Sequence, residues 1–312
     1  MPLDTLPVLS LKTDKAQFAH EIGESFRTFG FALVKDFDID RGLIDKAWAL
    51  SEEFFKLPED EKRKYHDPSI GGARGYTPFG IEIAKDAKHH DLKEFWHVGR
   101  DLPEGSPLAD ASMPPNVWPD RPEGFHEVFS ELYSQFDKTG ATILSAIALY
   151  LGLDEHWFDK AIEDGNSVMR LLHYPPLDGI EGEAIRAGAH GDINLITLLL
   201  GAEEAGLELL GKDGNWINAS PPEGAMVINV GDMLERLTNH VLPSTIHRVR
   251  NPNAERAAFS RYSMPFFLHL RSDFPIATLP QCVSAENLDR YPEPILADAF
   301  LQQRLREIGL KK

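Results

Sequence analysis

The chain has one cysteine, Cys282, so no internal disulfide can form. Disulfide-stapled secreted scaffolds and zinc sites closed by several thiolates are therefore excluded. Basic residues are also scarce: 32 Lys and Arg stand against 49 Asp and Glu, a formal net charge of −17. A nucleic-acid partner needs a basic face, and the imbalance runs the other way. No run approaches the roughly 18–20 apolar residues that span a bilayer, and the opening Met1-Pro2-Leu3-Asp4 is not a basic-then-apolar leader. These shortages predict a cytoplasmic setting without membrane or nucleic-acid partners, and they leave the oligomeric state open.

Apolar material is ample, at 42% of 312 residues, enough for one large core or two small ones. Residues 6–11 have the character of a short strand. Residues 16–29 carry Phe18, Ala19, Ile22, Phe26 and Phe29 as a helical stripe that Gly30 ends. Strand character returns at 31–34, and Asp40 caps a second helix running to about Leu57, before Pro58. The stretch 66–122 is rich in Gly, Pro and charge and reads as a long functional connection. Residues 125–151 form one amphipathic helix and 155–162 a shorter one.

From about residue 167 the pattern changes to short strands at 207–210, 216–219, 226–230, 245–249 and 261–268, split by Gly and Pro turns. Such spacing predicts a sandwich or barrel. The expected class is α+β: a double-stranded β-helix (jelly-roll) core at 166–272, an α/β N-terminal segment at 1–122 with substrate-side loops at 66–122, supporting helices at 123–165, and a C-terminal extension and helix at 273–312.

One stretch organises the rest. Residues 187–200 place His190 and Asp192 two apart before a run of Ile and Leu. In extended backbone, side chains at i and i+2 point the same way, so an imidazole and a carboxylate can grip one ion. A third ligand is available in His247, whose strand-like run also puts Thr245 and Val249 on its face. Two His and one carboxylate cover one face of an octahedral ferrous ion and leave three positions open, as O2 activation requires. A second His-x-Asp, His89 and Asp91, sits in a charged stretch without strand periodicity and reads as surface loop. Further on, Arg261 and Ser263 share a strand face, a natural clamp for a carboxylate such as that of 2-oxoglutarate.

These residues resemble the isopenicillin N synthase-like group of non-haem Fe(II), 2-oxoglutarate-dependent dioxygenases. The matching pieces are His190-x-Asp192, the run from Asn229 to His247-Arg248-Val249, Arg261-x-Ser263 and Tyr174-Pro175-Pro176. Leu6-Pro7-Val8-Leu9, Phe29-Gly30-Phe31 and the run from Phe54 to Lys62 extend the likeness to the N-terminal part. The resemblance implies an oxidoreductase with His190, Asp192 and His247 as iron ligands, and with Arg261, Ser263 and Tyr174 binding the 2-oxoglutarate C5 carboxylate. It implies hydroxylation or desaturation of a small organic substrate with release of succinate and CO2. It also sets Arg74, Tyr76 and Trp96 near the substrate mouth, and Arg170 joins them because it shares a strand face with Tyr174. Leu172 stands where the group often has asparagine, which removes a polar contact to the cosubstrate.

His173, on the opposite face, reads as structural, Asp232 as a turn or helix-cap residue, and Cys282 as packed. Arg74 and Arg170 point to a polar or carboxylated substrate, a description that sugars, amino acids, purines and phenolics all meet. Three other activities fit the same residues: fragmentation of 2-oxoglutarate to ethylene, oxidation without 2-oxoglutarate, and silent binding by a jelly roll that has lost catalysis.

Overall fold

The computed structural model describes residues 6–81, 92–109, 113–176, 187–200, 206–250 and 258–308. The pair His89 and Asp91 lies outside the described residues. Helix α1 (Lys15–Phe29) forms where the apolar stripe predicts it, with Phe18, Ile22, Phe26 and Phe29 buried. The Asp14 carboxylate accepts from the backbone N–H groups of Ala16 and Gln17, and Gly30, at φ 69°, donates its N–H to the Phe26 carbonyl. A side chain at Gly30 would meet the Pro243 carbonyl at 2.6 Å, so both conformation and space demand glycine.

Strands β1 (Val8–Ser10), β2 (Phe31–Lys35), β3 (Gly75–Thr77), β4 (Glu94–Gly99), β5 (Val168–Tyr174), β6 (Ala187–His190), β7 (Ile196–Leu200), β8 (Leu207–Leu210), β9 (Trp216–Asn218), β10 (Met226–Val230), β11 (His247–Val249) and β12 (Arg261–Leu268) build two sheets. The larger has eight strands in the order β1-β2-β10-β7-β12-β5-β4-β3, and the smaller runs β6-β11-β8-β9. Among the described residues only the β1–β2 pair is parallel.

One face of the large sheet packs on α1, α2 (Arg41–Phe55) and α4 (Phe125–Tyr150), where Phe136 stacks on Phe266 at 5.3 Å. The other face meets the small sheet through Phe31, Leu33 and Val227 on one side and Leu207, Leu209 and Val249 on the other. This is the jelly roll, with its cavity between the sheets. Short helices α3 (Glu59–Arg63), α5 (Asp159–Ile162) and α6 (Asp232–Leu237) join elements, and β13 (Pro275–Ile276) pairs with β14 (Ile295–Leu296) ahead of α7 (Ala297–Glu307). Among the described residues no helix is long and apolar enough to cross a membrane.

The stretch 66–122 corrects its expectation, because β3 and β4 complete the large sheet. All six residues of β4 are buried. Glu94 lies opposite His173 and Trp96 opposite Leu171, so Glu94, Trp96 and Val98 face the helices while Phe95 and His97 face the cavity. On the helix side a buried polar network ties α3 to the sheet. Lys62 Nζ donates to Glu94 Oε2 at 2.6 Å and to the Phe55 carbonyl, and the Tyr76 hydroxyl donates to the same carboxylate oxygen. His173 Nδ1 bonds Glu94 Oε1 at 2.7 Å and its Nε2 meets the Ser260 hydroxyl at 2.9 Å, which is the structural role expected of His173. Burial alone would raise the Glu94 pKa, but His173, Lys62 and Tyr76 outweigh it and hold the carboxyl below its ordinary value.

Removing one partner strands the buried Lys62 charge. Glu94→Ala is expected to cost about 3–5 kcal/mol in urea unfolding, and adding Lys62→Met is expected to recover part of that loss. A cost below about 1 kcal/mol would show that the network does not hold the strand in place.

Candidate active site

Strand pairing assembles the site. His247 on β11 lies directly opposite His190 on β6, with ring centroids 4.4 Å apart, and a register shift follows between His247 and Val249. From the end of β6 the chain passes Gly191 and returns Asp192 to the same place. One ligand atom from each of His190, Asp192 and His247 lies within 4.8 Å of the others, the one such group of three among the described residues. Asp192 and His247 are buried, and His190 opens to the cavity.

Hydrogen bonds fix which atoms face inward. His190 Nδ1 donates to the Gly188 carbonyl at 2.7 Å and His247 Nδ1 to the Thr245 carbonyl at 3.1 Å, so each ring turns an unprotonated Nε2 to the centre. Asp192 Oδ2 accepts from the Thr197 hydroxyl at 2.5 Å and the Asn229 amide at 2.8 Å, while Oδ1 faces His247 Nε2 at 3.9 Å. The His190 pKa falls to about 4, chiefly because the cavity walls withdraw the ring from bulk water and secondarily through His247. Burial works against the Asp192 carboxylate, yet His247, His190, Asn229 and Thr197 together hold its pKa below the usual value. A neutral imidazole and a carboxylate are what a divalent cation needs. Three protein donors on one side, two nitrogen and one oxygen, fit ferrous iron with open positions.

The second group lies along β5 and β12. Arg261 faces Tyr174 across the pair, its Cζ 5.2 Å from the ring centre, and Ser263 faces Leu172. Arg261 is 2% exposed, and its Nε and Nη1 have no hydrogen-bond partner among the described residues. A buried guanidinium left with unpaired N–H groups is costly, and a carboxylate is the group that relieves it. The arrangement therefore fits 2-oxoglutarate. Phe95, Leu172 and Tyr174 cluster as an apolar panel on the same face. Arg170, on that face too, donates from Nε to His97 Nε2 at 2.6 Å.

Two expected substrate residues are not brought to this cavity. Tyr76 and Trp96, opposed in the β3–β4 pair, point to the helices, where Trp96 packs 4.9 Å from Phe54 and 5.4 Å from Phe125. Arg74 is buried, packs its guanidinium over Gly99 and bonds the Ala73 carbonyl. Tyr76 on β3 and Trp96 on β4 share one face, and strand parity turns both side chains away from the cavity. Asp232 opens α6 after the cap residue Gly231 and takes Arg304 Nε at 3.0 Å, so it braces α7 instead of capping. The sequence reading missed Thr197, Asn229, Phe95, His97 and Phe267. For Phe267 a signal existed, since it stands six positions after Arg261 on the same strand face.

Known proteins share both the sequence pattern and the fold. Residues 6–121 match the family described as non-haem dioxygenase in morphine synthesis N-terminal, and residues 165–270 match the 2OG-Fe(II) oxygenase superfamily. The chain is 32% identical over 312 residues to the 2-oxoglutarate-Fe(II) type oxidoreductase hxnY of Emericella nidulans, covering 96% of this chain and 88% of that one. It superposes on the crystal structure of a 2OG-Fe(II) oxygenase family protein from Caulobacter crescentus with TM-score 0.91 and 55% identity, covering 98% and 100% of the two chains. A full-length Neurospora crassa protein in complex with alpha-KG, which is 2-oxoglutarate, gives TM-score 0.85 at 30% identity over 97% and 96%.

The Asp192 carboxylate is aimed by two neighbours. Asn229→Leu and Thr197→Val are each expected to weaken ferrous-ion affinity roughly 10- to 100-fold with the fold retained, measured by chelator competition under nitrogen. Unchanged affinity in both variants would remove them from the site.

Proposed function

The chain belongs to the 2OG-Fe(II) oxygenase superfamily, and from that footing we propose that it oxidises a small organic molecule, by hydroxylation or desaturation, with 2-oxoglutarate and O2 consumed and succinate and CO2 released. The catalytic core in this reading is residues 166–272, and the single buried Cys282 suits a reducing cytoplasm. One observation carries the proposal: three converging metal donors share a cavity with a buried guanidinium whose N–H groups lack partners among the described residues.

His190, Asp192 and His247 would hold Fe(II) from one side, leaving the opposite side for cosubstrate and oxygen. When bound, ferrous iron would activate O2, the oxidant, with 2-oxoglutarate supplying two of the four electrons that reduce it. Arg261 would receive the C5 carboxylate in a forked pair of hydrogen bonds, with Ser263 and Tyr174 completing the cradle. Thr197 and Asn229 keep Asp192 ionised and aimed. Phe95 and Leu172 line the same space and exclude water, so that oxidant meets substrate before solvent. A small-molecule substrate is supported by the structure of the Neurospora crassa relative in complex with alpha-KG and thymine.

His190→Ala is expected to abolish succinate formation from 2-oxoglutarate. Arg261→Leu is expected to raise the 2-oxoglutarate KM about 100-fold, the loss of two charge-assisted bonds. Undiminished succinate in His190→Ala with iron still bound would overturn the assignment.

A further inference from the structure

Resting on the oxygenase reading, we propose that His269 is a specificity-determining residue of the substrate pocket, where it hydrogen-bonds a neutral polar group of the substrate, a hydroxyl or an amide. The residue follows β12 directly, and the alternation of that strand runs on through it. Leu268 and Leu270 on either side both sit in the core against the helices, so His269 turns to the opposite face, which it shares with Arg261, Ser263 and Phe267. Its backbone N–H donates to the Ser167 hydroxyl at 3.1 Å, but neither ring nitrogen has a hydrogen-bond partner among the described residues. Buried polar groups are normally paired. An imidazole withdrawn from water with both nitrogens unmet is a cost that a ligand would relieve.

The position belongs to the substrate. Phe267, two residues earlier on the same face, lies opposite Thr197, whose hydroxyl bonds Asp192, and the negative charge of Asp192 acts on the His269 ring itself. The ring therefore stands near the metal donors without joining them, since that group consists of His190, Asp192 and His247. It is also remote from the cosubstrate anchor: Ser263 and His269 are six residues apart, roughly 20 Å at about 3.3 Å per residue of strand. Burial lowers the His269 pKa to about 4 and outweighs Asp192, which works the other way, so the ring is neutral near pH 7. A neutral imidazole offers one N–H donor and one acceptor. A hydroxyl or an amide can answer both, whereas a carboxylate answers only the donor and an ammonium only the acceptor. With the Phe267 ring beside it, the class is a small, flat, neutral molecule that carries a hydroxyl or an amide on an apolar body.

The test uses the full chain loaded with Fe(II) and 2-oxoglutarate under nitrogen, titrated by calorimetry with phenol, benzamide and 2-pyridone, and with toluene as the apolar reference of similar size. At least one of the three polar probes is expected to bind roughly 10-fold more tightly than toluene, the gain from pairing a buried group that is otherwise unmet. His269→Phe is expected to reverse the order and bind toluene at least as tightly as the polar probes, while His269→Gln, which keeps a donor and an acceptor, recovers part of the preference. His269→Leu makes the same deletion with a smaller side chain and is expected to behave like His269→Phe, so the outcome does not hang on one variant folding. A merely structural histidine would weaken all four probes alike. No polar probe outbinding toluene in the unmodified protein, or a preference that survives in His269→Phe and His269→Leu, overturns the inference while the bound 2-oxoglutarate leaves the oxygenase reading standing. Failure of the unmodified protein to bind 2-oxoglutarate overturns both.

Discussion

The site depends on one register. The pairing of β11 with β6 sets His247 opposite His190 and so brings two imidazoles distant in sequence to one point. Side chains alternate with a period of two, so a slip of one residue would turn His247 out of the cavity and bring Arg248 or Ile246 in its place. Several contacts hold the register from both sheets. Phe31 of the large sheet meets the His247 ring edge-on at 5.5 Å, and Val249 packs with Leu207 and Leu209. Asn229 and Thr197, from two adjacent strands of the large sheet, reach across to Asp192. The donor group therefore straddles the two sheets, and its geometry is a property of how far apart they sit.

Electrostatics divide the molecule into an acidic exterior and a cationic cavity. The chain carries −17 overall, yet Arg261 is almost wholly buried and Arg170 half-buried on the same face. Burying either charge is unfavourable on its own, and the fold treats the two differently. Arg170 is stacked on two rings and hydrogen-bonded to His97. Arg261 keeps N–H groups without partners among the described residues, beside the Tyr174 ring. The cost stored at Arg261 is one that an arriving carboxylate would return, which would make the proposed cradle a source of affinity for 2-oxoglutarate.

Much of this was legible where the period of the side chains carries the information. The stripe of Phe18, Ile22, Phe26 and Phe29 marks a helix at once, and the two-residue offsets of His190 with Asp192 and Arg261 with Ser263 mark shared faces. The β3–β4 hairpin escaped because both faces of β4 are buried, so no polar-apolar alternation appears. Its polar residues are satisfied by partners remote in sequence, Glu94 by Lys62 and His173, and His97 by Gly72 and Arg170. Without that register the parity of Tyr76 and Trp96 could not be assigned, and two aromatic core residues passed for substrate contacts. Thr197 and Asn229 were invisible for a related reason: a polar residue in an apolar strand declares a partner without naming it.

The departure at Leu172 follows from the same physics. Leu172 lies opposite Ser263, between the Tyr174–Arg261 pair and the Arg170–His97 pair, and joins Phe95 and Tyr174 in a dry panel. An asparagine there could give the cosubstrate one hydrogen bond, worth about 1 kcal/mol net. A leucine instead removes water from the space between two guanidinium groups. Lower local polarisability strengthens a cation's hold on an anion, and an ionic contact gains more from that change than one neutral hydrogen bond supplies. The apolar residue also lies between the two guanidinium groups, Arg261 and Arg170. Losing a polar contact at this position is thus compatible with firm binding of an anion at Arg261.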